Sequence, residues 1–489
     1  MGAGALSERR DNGSVVRIGL AQSDQPRAVP SRTARQAVVI VHGMGEQRPM
    51  DTVRDFARAV LRSQTGARNG DTQEPEFWSR PDGRTGSLEL RRLTTRKSQS
   101  SEAFPNGART DFYELYWADL TGGSTWTQFG GWIRYLLFRP WSQVPRDVRG
   151  AWIALWIVTG LACAVGLASI LPDDMFPTWA RIALAVSAAG LGALVHKMAT
   201  ASFGRVVRYT RADPANISAR AAVRERGLRL LNELHAGGEY DRIVLVGHSL
   251  GSILAYDLIN YLWTQREDAR TLRGGGDELA ALRSVHDAAA GLRDGDAGSI
   301  ERFRRCQARL RRLLAARQDR HDGTDRWLIS DFVTIGSPLT HAEFLLATNA
   351  ADLGQRIDTR EYPAAPPVRE PLNRLGVWLA KKHGFLGRDA KEGELFVFPK
   401  QGGGWCLHHA SPFAVVRWTN IHDPARWIYR GDLVSGALSG KFGLGVKDVD
   451  LSLLRGKSRS FSHTRYWALD APSKQLDALR DAINLLDND

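Results

Sequence analysis

Ser249 stands between Gly247 and Gly251 in "VLVGHSLGS", and the chain changes character at that serine. Ile243 to Val246 form a short, wholly apolar, largely β-branched run, the mark of a buried parallel strand. Beyond the serine, Ile253, Leu254, Leu258, Ile259 and Leu262 recur at helical spacing. A chain that turns from strand to helix in so few residues needs glycine two positions either side of the corner, where side chains would collide. The corner pushes the hydroxyl out above the sheet, and the first helical N–H groups point at the same spot. This is the G-x-S-x-G nucleophile elbow in its confirming context, and its chemistry is attack on an acyl carbonyl.

A serine hydroxyl needs a base to take its proton, and the base needs a buried carboxylate to orient it. In enzymes built on such an elbow the acid and then the histidine follow the serine in the chain. Eight histidines follow Ser249: His286, His321, His341, His383, His408, His409, His422 and His463. His463, in "SFSHTRYWALD", comes after the last candidate strand, where a loop can swing over the elbow, and it is the expected base. His408 and His409 precede the strand that should deliver the acid, and His422 adjoins the acid itself. Two acids remain open after "FAVVRWTN". Asp423 in "NIHDPARW" is nearer the strand end, while Asp432 in "YRGDLVSGAL" is favoured if "ARWIYR" is an insertion. The oxyanion needs N–H donors: Leu250, just after the nucleophile, and Met44, behind His42 and Gly43, with Gly43 and Gly45 letting that backbone bend close.

The elements that must position these residues alternate. "QAVVIVHGMGEQ", "DFYELYWADL", "DRIVLVGH", "WLISDFVTIGSPL", "FAVVRWTNIHDP" and "KDVDLSLL" read as strands. "DTVRDFARAVLRSQ", "ISARAAVRERGLRLLNEL" and "SKQLDALRDAINLLDN" read as helices. That alternation predicts a parallel sheet covered on both faces, with the site at the carboxyl ends of its strands.

At 489 residues the chain is long for one domain. Its net charge of +13 comes mostly from arginine, yet no RNA-binding signature, zinc spacing or basic heptad accompanies it, so nucleic acid is not an expected partner. Cys163, Cys306 and Cys406 are odd in number and far apart, which speaks for a reducing compartment and against a disulfide framework. Residues 1–35 read as a disordered leader without the apolar core of a signal peptide. In the middle, Ala151–Leu171 carries no charged residue, and a second apolar run covers Ile182–Val195. Arginines and a lysine flank the pair outside, and Asp173 and Asp174 lie between. These features predict a two-pass transmembrane hairpin, within residues 126–211, with its flanks and the catalytic part on the cytoplasmic side. The hydrolase portions are then 36–125 and 212–489. The second holds an arginine-dense helical insertion at 265–325, either a solvated helix packed on the body or a basic face toward anionic lipid, and a Pro/Gly-punctuated stretch at 340–405 suited to a lid or substrate wall.

"VVIVHGMGEQ", "VLVGHSLGS", "FVTIGSPL", "RWTNIHDP" and "HTRYW" together resemble the α/β-hydrolase superfamily, on its lipase and esterase side, over scattered blocks of the chain. The D-x-V-x-G context of Asp432 is similar to lipase acid loops, though the acid loop here is long. The resemblance implies ester or thioester hydrolysis through an acyl-enzyme, without metal or cofactor. With a membrane anchor beside the site, a lipid ester is the expected substrate and the membrane an expected partner. The rival readings are a non-catalytic membrane scaffold that keeps the fold, and a soluble esterase whose apolar run is an oligomer interface.

Overall fold

The computed structural model describes residues 33–43, 48–61, 77–87, 89–121, 138, 140–141, 149–170, 177–198, 217–272, 276–317, 325–400, 404–424, 431–432, 434–453, 463–471 and 473–488. Within them eight strands share one sheet: β1 (Ala34–Val41), β2 (Phe77–Pro81), β3 (Arg91–Thr95), β4 (Ala108–Leu115), β5 (Arg242–His248), β6 (Ile329–Ile335), β7 (Arg417–His422) and β8 (Val446–Asp450). Their spatial order is β8-β7-β6-β5-β1-β4-β3-β2. Every pairing from β4 through β8 is parallel, and β2 and β3 run antiparallel at the far edge.

The apolar runs are buried on both faces because period-two alternation sends successive side chains to opposite layers. Val39, Val41, Leu245 and Phe332 join one core, and Val38, Ile40, Val244, Val246 and Val333 join the other. Burial of each such side chain is worth about 1.5–3 kcal/mol. The longer helices among the described residues, in chain order, are α1 (Asp51–Leu61), α2 (Arg149–Ile170), α3 (Thr178–Met198), α4 (Ile217–Ala236), α5 (Leu250–Gln265), α6 (Gly276–Ala290), α7 (Ala297–Ala315), α8 (Ala350–Asp358), α9 (Arg374–Lys382) and α10 (Ser473–Ile483). Helices α4 to α7 cover the first face, and α1 with α10 covers the second. The chain thus has an α/β fold built on a mostly parallel sheet.

From β1 the chain passes to one side of the sheet, through β2, β3 and β4, and then returns to lay β5 against the other side of β1. Connections leave in opposite directions at β1, so a crevice is expected beyond the carboxyl ends of β1 and β5. His42 and Gly43 follow one of these ends, and Ser249 follows the other.

The transmembrane hairpin requires correction. The two runs do fold as α2 and α3, but among the described residues no helix is long and apolar enough to cross a membrane. Ala151–Leu171 is uncharged, but an uncharged run is not by that alone a strongly apolar one. Nearly half of that run is Ala, Gly, Ser, Thr or Cys, and the second helix carries Arg181, His196 and Lys197. Such residues supply little of the transfer energy that Leu, Ile, Phe and Val give. The two-pass placement, with the catalytic part on a cytoplasmic side, falls with the hairpin.

The arginine-dense helix packs on the body of the fold through one face. Phe303, Arg304, Gln307, Leu310, Arg311 and Leu314 of α7 are buried, and the Gln307 amide donates to the carbonyls of Phe413 (2.7 Å) and Val416 (3.0 Å). The 340–405 stretch packs on α5: Tyr256 OH donates to Pro363 O at 2.6 Å, and Leu395, Phe396 and Val397 join the core of that layer. Of the leader, residues 1–32 lie outside the described residues, and β1 begins at Ala34.

Candidate active site

Ser249 occupies the one residue between β5 and α5, with φ 51° and ψ −130°. A positive φ at a non-glycine residue costs on the order of 1–3 kcal/mol and persists only where its surroundings over-determine it. Here the Ser249 N–H donates to Ile335 O (2.9 Å), and the Ser249 carbonyl accepts from Ser252 N–H (2.9 Å) and Ser252 Oγ–H (2.6 Å). The flanking glycines are steric requirements. A Cβ on Gly247 would lie 2.4 Å from Ser252 Cα, and one on Gly251 would lie 2.2 Å from Val41 O.

The structure brings Ser249, His463 and Asp432 together. His463 Nε2 is 2.9 Å from Ser249 Oγ, and His463 Nδ1 is 2.9 Å from Asp432 Oδ2. Asp432 is completely buried and Ser249 is 3% exposed, so the pair acts where water screens little. Burial alone would raise the Asp432 carboxyl. The hydrogen bonds and charge of His463, the Tyr466 hydroxyl (2.7 Å) and the Val434 N–H (2.8 Å) outweigh it and hold the group below its ordinary range. Since the Tyr466 hydroxyl gives its proton to Asp432, Ser435 Oγ–H donates to the Tyr466 oxygen, at 2.9 Å.

Asp423 is buried beside Asp432 but is not the carboxylate that meets His463. Its carbonyl accepts the Asp432 N–H at 2.8 Å, and Pro424 and Asp432 form an isolated parallel bridge. After Asp423 the chain therefore comes back to the same strand end nine residues later, at Asp432.

On the oxyanion side, Leu250 carries the first N–H of α5, which has no intrahelical acceptor. Gly43 is packed directly on Ser249, since a Cβ there would lie 2.7 Å from Ser249 Cβ. The His42 imidazole fixes this turn by donating from Nδ1 to Gly43 O at 2.7 Å, while its ring stacks on Trp117 at 5.3 Å. Met44 lies outside the described residues.

Sequence reasoning missed Tyr466, Ser435 and His248. Tyr466 was within the quoted "HTRYW", three residues after His463, but nothing in spacing tells a supporting hydroxyl from a core aromatic. Among the described residues no group of His, Cys, Asp and Glu side chains could hold a metal ion. Comparison with protein-family models, curated proteins and solved structures finds no match to this chain.

Proposed function

We propose that the chain is a serine hydrolase of the α/β-hydrolase kind, cleaving carboxylic esters through an acyl-enzyme. The observation that carries this reading is the pair of 2.9 Å hydrogen bonds linking Ser249, His463 and Asp432 at the strained corner of β5 and α5. Ser249 Oγ attacks the ester carbonyl while His463 Nε2 takes its proton, and Asp432 holds the Nδ1–H and stabilises the imidazolium. Negative charge on the carbonyl oxygen falls toward the Leu250 N–H. The intermediate collapses, and His463 gives its proton to the departing alkoxide, which leaves as the alcohol. Water, deprotonated by the same nitrogen, then attacks the acyl-serine, and the carboxylic acid leaves as Ser249 regains its proton.

Lipid esters were expected from a spanning hairpin that no described helix supports, and the substrate proposed is a carboxylic ester. Lipid esters remain in the panel that tests it. The experiment is fluorophosphonate labelling of the folded chain, with hydrolysis of p-nitrophenyl esters from acetate to palmitate and of phospholipid and glyceride esters. Wild type should label once, and Ser249→Ala should not label and should lose turnover by about 10⁶-fold. A folded wild type that neither labels nor turns over any ester, with or without detergent, would overturn the proposal in favour of a non-catalytic scaffold.

A further inference from the structure

His463 sits in no regular element, between β8 and α10, and its ring must stay within hydrogen-bonding reach of Ser249. Asp432 fixes the ring at Nδ1. A second fixation comes from His248, the residue immediately before the nucleophile. His248 Nε2 lies 2.9 Å from the carbonyl oxygen of His463. A carbonyl can only accept, so Nε2 carries the proton and the neutral ring leaves Nδ1 bare. That atom is buried and has no hydrogen-bond partner among the described residues.

The ring is wedged against the segment it tethers. It meets Trp467 edge to face at 4.7 Å, Tyr466 at 6.2 Å and the His463 ring itself at 5.3 Å. His248 is 6% exposed, at the end of a strand whose other residues are all buried. It is therefore joined rigidly to Ser249 through one peptide and to His463 through one hydrogen bond. A histidine whose second nitrogen is left unpaired in a buried site bears a desolvation cost. Among the described residues this nitrogen finds no partner, a cost that a phenyl ring packed in the same place would not carry.

We propose that His248 is a positioning residue. Resting on the hydrolase reading, it acts as a neutral donor that ties the main chain of the catalytic histidine to the nucleophile strand and so sets the Ser249–His463 distance. The tie survives the reaction because the ring does not charge. Burial, and then the neighbouring His463, push the His248 imidazole down to about 3, so it stays neutral when His463 becomes imidazolium 5.3 Å away.

The test compares His248→Gln with His248→Phe in the full chain. The glutamine amide can place a donor near the position of Nε2, while phenylalanine keeps a ring against Trp467 and removes the donor. Fluorophosphonate labelling rates and steady-state kcat and KM on a p-nitrophenyl ester are read on proteins whose folding is checked by near-UV circular dichroism. His248→Phe should lose about 10–100-fold in labelling rate and kcat with KM nearly unchanged, as a misplaced catalytic group does. His248→Gln should recover most of the loss. A phenylalanine variant as fast as wild type overturns the tether, and so does a glutamine variant as slow as the phenylalanine one, which would mean packing alone. If His248→Phe does not fold, His248→Asn takes its place, because its shorter amide leaves the His463 carbonyl unreached. Failure of the hydrolase reading looks different: wild type itself then does not label.

Discussion

At Asp432 one carboxylate oxygen accepts from both His463 Nδ1 and the Tyr466 hydroxyl, and the other accepts the Val434 N–H. An asparagine there would retain one acceptor and present an amide N–H to a group that must donate, which favours the wrong imidazole tautomer. Asp432→Asn is expected to slow fluorophosphonate labelling by about 10⁴-fold. Asp423→Asn, at a carboxylate that does not meet His463, should stay within about tenfold of wild type. Equal losses from the two substitutions would contradict the assignment. The serine and the histidine were legible in the sequence because the elbow is a local pattern and His463 follows the last strand. The acid was not, because the choice turns on the Pro424–Asp432 bridge, a contact between residues eight apart whose pairing no periodicity records.

Between β1 and α1 runs the segment that begins at Gly43, beside Ser249, and ends at Met50. Its far end is held by Glu114 of β4, whose Oε2 accepts the Met50 N–H at 2.7 Å, while Oε1 is buried with no hydrogen-bond partner among the described residues. Burial raises the Glu114 carboxyl to about 7, against the pull of the Met50 N–H. With the folded pKa above the unfolded value of about 4.3, the group's favourable contribution is complete below pH 4.3 and is lost as pH rises through about 7. Glu114→Gln keeps an acceptor for Met50 and removes the titration. Its melting temperature should therefore fall less than that of wild type between pH 5 and 8, and parallel melting curves would refute this. Elements of this kind were unevenly legible. The apolar strands at the sheet centre announce themselves, whereas β2 ("FWSRP") is a short, exposed edge strand and β3 ("RRLTT"), though buried beside it, is short and mostly polar, so neither shows an apolar run. The α2 and α3 pattern was read correctly as helical and wrongly as spanning, because an uncharged run and a sufficiently apolar one are different things.

Across the whole molecule, the end of the sheet opposite the site is closed by ions. Arg242 and Arg417 meet Asp331 at 2.6 and 2.8 Å, and Arg417 also meets Asp487 at 2.6 Å, with all four side chains nearly inaccessible. Arg311 and Arg312 of α7 reach Asp487 as well, at 3.4 and 3.3 Å. Burial opposes the Asp487 charge, and these arginines overcome it and hold the carboxyl far below its ordinary range. Some of the arginines that composition counts toward a basic surface are thus turned inward and paired, which residue counts alone cannot reveal. Asp487→Asn leaves buried arginines short of a counter-ion and should destabilise the chain by about 3–5 kcal/mol, read by urea unfolding, with fluorophosphonate labelling of Ser249 unchanged in the fraction that remains folded. An effect within 0.5 kcal/mol would mean that the arginines find other partners. The same arrangement bears on biosynthesis. A ribosome delivers Arg311, Arg312 and Arg417 before Asp487, so until residue 487 arrives a nascent sheet has Asp331 between Arg242 and Arg417 at its base and carries an excess of cations there. The finished β5–β7 unit is therefore expected to lock only after α10 has been made, and a chain stalled before that point would present chaperones with an open, positively charged sheet end.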